Sequence, residues 1–162
     1  VVDQAEIHRM ARSEDVEERK RSVEELKNNF AILKDKKQAW NDLIGLTSDI
    51  DRYLRMGATY ALGSVFSHVP DKKQAWDDLH RLTSDTDRWV RGGATFALGN
   101  VFSDVPDKKQ VWDDLHRLTS DNESDVRAGA NHSSGKVCIS EACEVESEDG
   151  FRKRNRKSPW IF

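Results

Sequence analysis

Histidine, aspartate and arginine recur in fixed places along this 162-residue chain, and these are the types from which metal sites, acid–base pairs and anion clamps are built. His80 and His116 each follow an aspartate by three positions (Asp77, Asp113) and precede an arginine (Arg81, Arg117). Asp49, Asp85 and Asp121 form a second series, and Arg19, Arg55, Arg91 and Arg127 a third. Lysine pairs keep the same rhythm at Lys36/Lys37, Lys72/Lys73 and Lys108/Lys109. Only two cysteines occur, Cys138 and Cys143, with His132 nearby. They lack the second ligand pair that a structural metal site needs. No nucleophile with an adjacent base and no phosphate-cradling loop is present, so neither a catalytic residue nor a cofactor is expected.

The rhythm has a simple origin. The phrase DKKQAWDDLHRLTSD at 71–85 recurs almost unchanged at 35–49 and at 107–121, each copy 36 residues after the last. Trp40, Trp76 and Trp112 superpose, as do Leu26, Leu62 and Leu98, and Phe30, Phe66 and Phe102. A fixed period in the range of about 20–50 residues is the mark of a stacked repeat array. Each unit reads as two helices. One carries Val90, Ala94, Ala97, Leu98, Val101 and Phe102 at helical spacing; the other carries Ala75, Trp76, Leu79 and Leu82. Pro70 and Pro106 close the first kind of helix, Asp71–Gln74 and Asp107–Gln110 have capping-box spacing for the second, and Ser84–Asp87 offers a similar start for the next. No strand alternation appears.

The pattern D-x-D-x-x-V-R-x-x-A-x-x-A-L-G, followed by A-W-x-x-L-x-x-L, resembles HEAT-like repeats. It is most similar to the short PBS-lyase type found in proteins of methanogenic archaea. The resemblance implies an all-α, right-handed α-solenoid of about four helical hairpins. The expected organisation is a repeat array over 1–140, with 1–34 as an N-terminal capping repeat and repeats at 35–70, 71–106 and 107–140. Residues 141–162 are expected to form a charged, mobile tail, with five acidic residues at 141–149, five basic ones at 152–157, and Trp160, Ile161 and Phe162 available to dock on the last repeat. The resemblance also implies that the Asp and Arg ladders are inter-repeat ties, one per interface. It further implies that the second helices line the concave face, so that Asp77, His80, Arg81, Asp113, His116 and Arg117 are the binding-site candidates. Trp89 and the lysines Lys72, Lys73, Lys108 and Lys109 are secondary candidates. The iron-binding His–Glu dipeptides of some HEAT-repeat hydroxylases have no counterpart, because the histidines precede Arg9, Val69, Arg81, Arg117 and Ser133.

Function follows the fold only loosely. The leading expectation is a non-enzymatic scaffold that binds an unidentified protein partner. The alternative is an accessory to an enzyme acting on a tetrapyrrole or other prosthetic group. Nucleic-acid binding is disfavoured by the net charge of −3 and the mixed charge of every face. His80 and His116 are not expected to share a metal, because stacked helices lie about 10 Å apart and zinc holds its ligands at about 2.1 Å. The tryptophans of the second helices are expected to pack between helices with an indole edge free to hydrogen-bond. With 34% charged residues and no apolar run long enough to span a bilayer, no membrane contact is expected. Two thiols without an export signal suggest a cytoplasmic setting, and the opening Val1 suggests a processed or partial chain.

Overall fold

A computed structural model describes the backbone of residues 2–156 and the side chains of residues 2–142. Among them the chain forms eight α-helices: α1 (Gln4–Ala11), α2 (Val16–Asn29), α3 (Lys36–Leu46), α4 (Arg52–Val65), α5 (Lys72–Leu82), α6 (Arg88–Val101), α7 (Lys108–Leu118) and α8 (Ser124–Arg156). They stack as four antiparallel pairs in two layers, with α2, α4, α6 and α8 in one and α1, α3, α5 and α7 in the other.

Helix starts are set by aspartate. Asp3, Asp15, Asp35, Asp51, Asp71, Asp87 and Asp107 each precede a helix, and each carboxylate accepts one or two backbone N–H groups of the first turn. Each such cap contributes about 1 kcal/mol, helped by the helix dipole. Asp71 and Asp107 cap as their spacing suggests. Ser84 does not cap α6. The Asp85 carboxylate instead accepts the Asp87 amide at 2.8 Å, tightening the turn so that Asp87 becomes the cap three residues later. Short 3-10 turns end α2 and α4 at Phe30–Ile32 and Phe66–His68, and bury Phe30 and Phe66 at the junction between layers.

One core runs through all four pairs. Leu26, Leu62 and Leu98 come from one layer, and Leu43, Leu79, Leu115, Leu82 and Leu118 from the other. The last pair fills its share with smaller side chains, Val126, Ala130, Ser133 and Val137. Nothing in the backbone marks the boundary expected at residue 140, because α8 continues to Arg156. The added segment contains no proline and one glycine among many good helix formers, which leaves the helix no local reason to stop. Cys143 and residues 160–162 lie outside the side chains described.

The arginine ladder ties one pair to the next. One nitrogen of each guanidinium closes its own inter-helix loop: Arg19 donates to the Ser13 and Glu14 carbonyls, Arg55 to Asp49 and Ile50, Arg91 to Asp85 and Thr86, and Arg127 to Asp121 and Asn122. The other side reaches the following pair. Arg19 grips Asp49 with two bonds of 2.6 and 3.1 Å, and Arg91 grips Asp121 with two of 2.7 and 3.0 Å. The middle rung departs from the expected ladder. Arg55 reaches Asp87 rather than Asp85, through one bond of 2.5 Å, and its Nε is buried without a partner among the described residues.

These contacts shift titration. The Arg91 hydrogen bonds hold the Asp121 carboxyl below its ordinary range against the opposing effect of burial. For Asp49 and Asp87 burial pushes upward, but the bonds from Arg19 and Arg55 and from backbone amides win, and both carboxyls also lie low. A carboxyl lowered by folding stabilises the fold above its unfolded pKa of about 3.9, and that contribution disappears as pH falls through the folded value. Unfolding free energy should therefore hold level from neutral pH to about pH 5 and drop steeply below about pH 4. Arg91→Ala should cost about 2–3 kcal/mol in urea denaturation, and Arg55→Ala, whose rung is half made, clearly less.

Candidate functional site

The six second-helix candidates lie where their repeat positions place them, and most are engaged within the protein. His80 donates through Nδ1 to the buried Asp114 carboxylate of the next pair at 2.6 Å. Arg117 reaches back to Thr83, the end of α5, through Oγ1 at 2.6 Å and the carbonyl at 3.3 Å. Asp77 and Asp113 take Lys73 and Lys109 one turn away at 2.8 and 2.5 Å. Arg81 is exposed, with Asp78 at 3.7 Å, and His116 is exposed. Lys72 donates to the Phe66 carbonyl at the end of α4 and lies 5.0 Å from that ring's centre, which explains a cation at a helix N-terminus.

A second tie was hidden in this layer. Asp42, Asp78 and Asp114 point toward the preceding pair and receive His8 at 3.0 Å, the Trp40 indole at 2.9 Å and His80 at 2.6 Å. The Trp112 indole continues the series by donating to Glu141 at 3.0 Å. The sequence signal was the repeat position itself: a carboxylate held at one place in three copies, four residues after an invariant glutamine. Where Ile44 replaces histidine, α3 and α5 leave a cleft of about 400 Å³ floored by Trp40, Val69, Pro70 and Ala75. Among the described residues no three His, Cys, Asp or Glu side chains gather to hold a metal ion.

The other layer is packed differently. A Cβ built on Gly63 would lie 2.5 Å from the Ala97 Cα, and one on Gly93 would lie 2.8 Å from Thr59 Cβ and 3.0 Å from the Met56 carbonyl. Gly99 and Gly129 repeat these contacts against Ser133 and Thr95. Helices α4, α6 and α8 thus run backbone against backbone, whereas α3, α5 and α7 scarcely touch one another.

The outward strip of this close-packed layer carries aromatic rings. Tyr53, Tyr60 and Phe96 are 54%, 44% and 42% exposed, a large apolar display for a polar chain. They form two rows across the helices. Tyr53 meets Trp89 with ring centres 5.6 Å apart; Tyr60 meets Phe96 at 6.4 Å, and Phe96 meets His132 at 6.1 Å. Gly57 and Gly92 lie between the rows, and a Cβ on either would enter open space, so the floor is flat. At the α2 edge a hollow of about 240 Å³ opens between Lys20, Val23, Glu24, Tyr53 and Gly57. Trp89 is half-buried in its row, and Tyr60 and Phe96 share one repeat position.

No protein-family model and no curated protein matches the chain. Solved structures do. A designed armadillo repeat protein in complex with the peptide (KR)4 superposes with a TM-score of 0.56 at 18% identity, over 81% of this chain and 62% of that one. An engineered protein gives 0.58 at 23% identity, over 84% and 63%. A computationally designed armadillo repeat protein for modular peptide recognition gives 0.53 at 16%, over 86% and 71%. The chain is an α-solenoid. It spans about three fifths of the length of the first two of these proteins.

The two kinds of glycine make opposite predictions. Gly63→Ala forces backbone apart and should lower stability by about 1–3 kcal/mol. Gly57→Ala only removes a helix-disfavouring residue and should raise it by about 0.5–1 kcal/mol, both read from urea midpoints of the full chain.

Proposed function

We propose that the chain is a non-enzymatic interaction scaffold that holds an extended peptide segment of a partner protein on the outward strip of α4, α6 and α8. The observation that carries this reading is the double row of rings, Tyr53 with the half-buried Trp89 and Tyr60–Phe96–His132, over a glycine floor. Aromatic side chains offer large contact area at little entropic cost and dominate binding energy at protein interfaces. The fold supports the same use, since the similar solved structures include a repeat protein bound to a peptide and one designed for peptide recognition.

Unequal spacing supports this face over the other. A two-layer stack with one layer in backbone contact and the other splayed bends toward the tighter layer. In this reading the aromatic strip lies on the inner side of the curve, in the place expected for the second helices. Of their candidates, His80 and Arg117 are held by inter-repeat bonds and Asp77 and Asp113 by lysines one turn away.

Selection of a random twelve-residue display library on the immobilised full chain tests the assignment. Peptides so enriched should lose at least tenfold in affinity against Tyr60→Ser/Phe96→Ser, with helicity unchanged by circular dichroism, and keep full affinity for Arg81→Ala/His116→Ala. The reverse pattern would return the site to the second helices.

A further inference from the structure

The aromatic face also carries charge at one end, where one cation, Arg52, makes no ion pair among the described residues. Arg52 and Arg88 occupy equivalent positions at the starts of α4 and α6. Arg88 lies 5.0 Å from the Trp89 ring centre and pairs with Glu123 of the next loop at 3.1 Å. The residue one repeat earlier than Glu123 is Asp87, the counterpart that Arg52 would use. Asp87 is already taken: it caps α6 through the Trp89 and Val90 amides and receives Arg55 at 2.5 Å. The displaced rung of the arginine ladder thus strips Arg52 of its partner.

Arg52 is nevertheless held in place. Its Cζ lies 5.0 Å from the Tyr53 ring centre and 5.6 Å from that of Trp89, and one nitrogen reaches the Tyr53 hydroxyl at 3.4 Å. A guanidinium held over two rings, with only one weak bond to the Tyr53 hydroxyl, keeps further N–H donors free in the planar fork that binds carboxylates with two parallel bonds. Nearby acids are engaged elsewhere: Asp51 caps α4 through the Tyr53 and Leu54 amides, and Glu17 pairs with Lys20. Asp125, at the position equivalent to Trp89 on α8, puts negative charge at the far end of the row and discourages a second acid there.

We infer that the segment bound on this face carries an acidic side chain seated on Arg52, with an apolar or aromatic side chain three to four residues away resting on the Tyr60–Phe96 row. This rests on the scaffold reading and adds the partner's chemistry to it. The spacing follows from the helix. Tyr53 and Tyr60 are seven residues apart on α4, about 10.5 Å at 1.5 Å per residue, and an extended peptide covers that distance in three to four residues at about 3.3 Å each.

The test is an array of twelve-residue Gly/Ser/Thr peptides, each with one Glu and one Phe at separations of one to eight, with matched sets carrying Gln or Lys for Glu. Binding of the labelled full chain should peak at separations of three and four and fall at least tenfold in the Gln and Lys sets. Arg52→Gln should erase the preference for Glu, and Arg52→Glu should transfer it to the Lys set. Equal binding of the Glu, Gln and Lys sets, or a preference that survives Arg52→Gln, overturns the acidic partner. In that case loss of binding in Tyr60→Ser/Phe96→Ser still upholds the scaffold face. Binding indifferent to Tyr60, Phe96 and Arg52 alike, or no binding by any peptide, overturns both.

Discussion

When two helices touch backbone to backbone, the residues at the contact lose their freedom, and only the strip facing away can change without disturbing the stack. Gly63 against Ala97, Gly93 against Thr59 and Gly99 against Ser133 impose that condition on α4, α6 and α8. The contact fixes the register between pairs and draws one layer together while the other splays. It also explains where variation is found. Tyr53, Trp89 and Asp125 differ at one outward position, and Tyr60, Phe96 and His132 at another, whereas Leu62 and Leu98 behind them stay the same.

Charge completes the register. Arg19, Arg55 and Arg91 each join their own loop to the next pair, so loop shape and inter-pair spacing are set by one side chain. The interfaces are not equal, however. Arg19–Asp49 and Arg91–Asp121 are bidentate and little exposed, while the middle rung slips to Asp87 and leaves Arg55 Nε without a partner among the described residues. The slip weakens one joint, and it also uncouples Arg52 from the ion-pair network. A local imperfection in the repeat thereby accompanies a cation with no ion pair among the described residues, beside the Tyr53–Trp89 rings.

Much of this was legible in the residues. The phrase recurring every 36 residues, the two apolar stripes and the arginine series foretold stacked helical pairs and the ties between them. The site was less legible, for a physical reason. Polar residues on the second helices read as free to bind, but His80 and Arg117 also answer Asp114 and Thr83 across an interface that single-chain periodicity does not display. Conversely, Tyr60 and Phe96 fit an amphipathic helix either as core or as surface, and only the closeness of Gly63 to Ala97 turns them outward. Helix α8 passed the expected boundary at residue 140 because composition signals charge more clearly than it signals a helix end.

Which layer is the working face can be read in one titration. In the amide spectrum of the isotope-labelled full chain, Gly57 and Gly92 report on the aromatic strip, and the indole N–H of Trp89 joins them. The indoles of Trp40 and Trp112 report on the opposite layer. Addition of a selected peptide should move the Gly57, Gly92 and Trp89 signals and leave those of Trp40 and Trp112 in place. Movement confined to Trp40 and Trp112 would contradict the account and put the partner on the splayed helices.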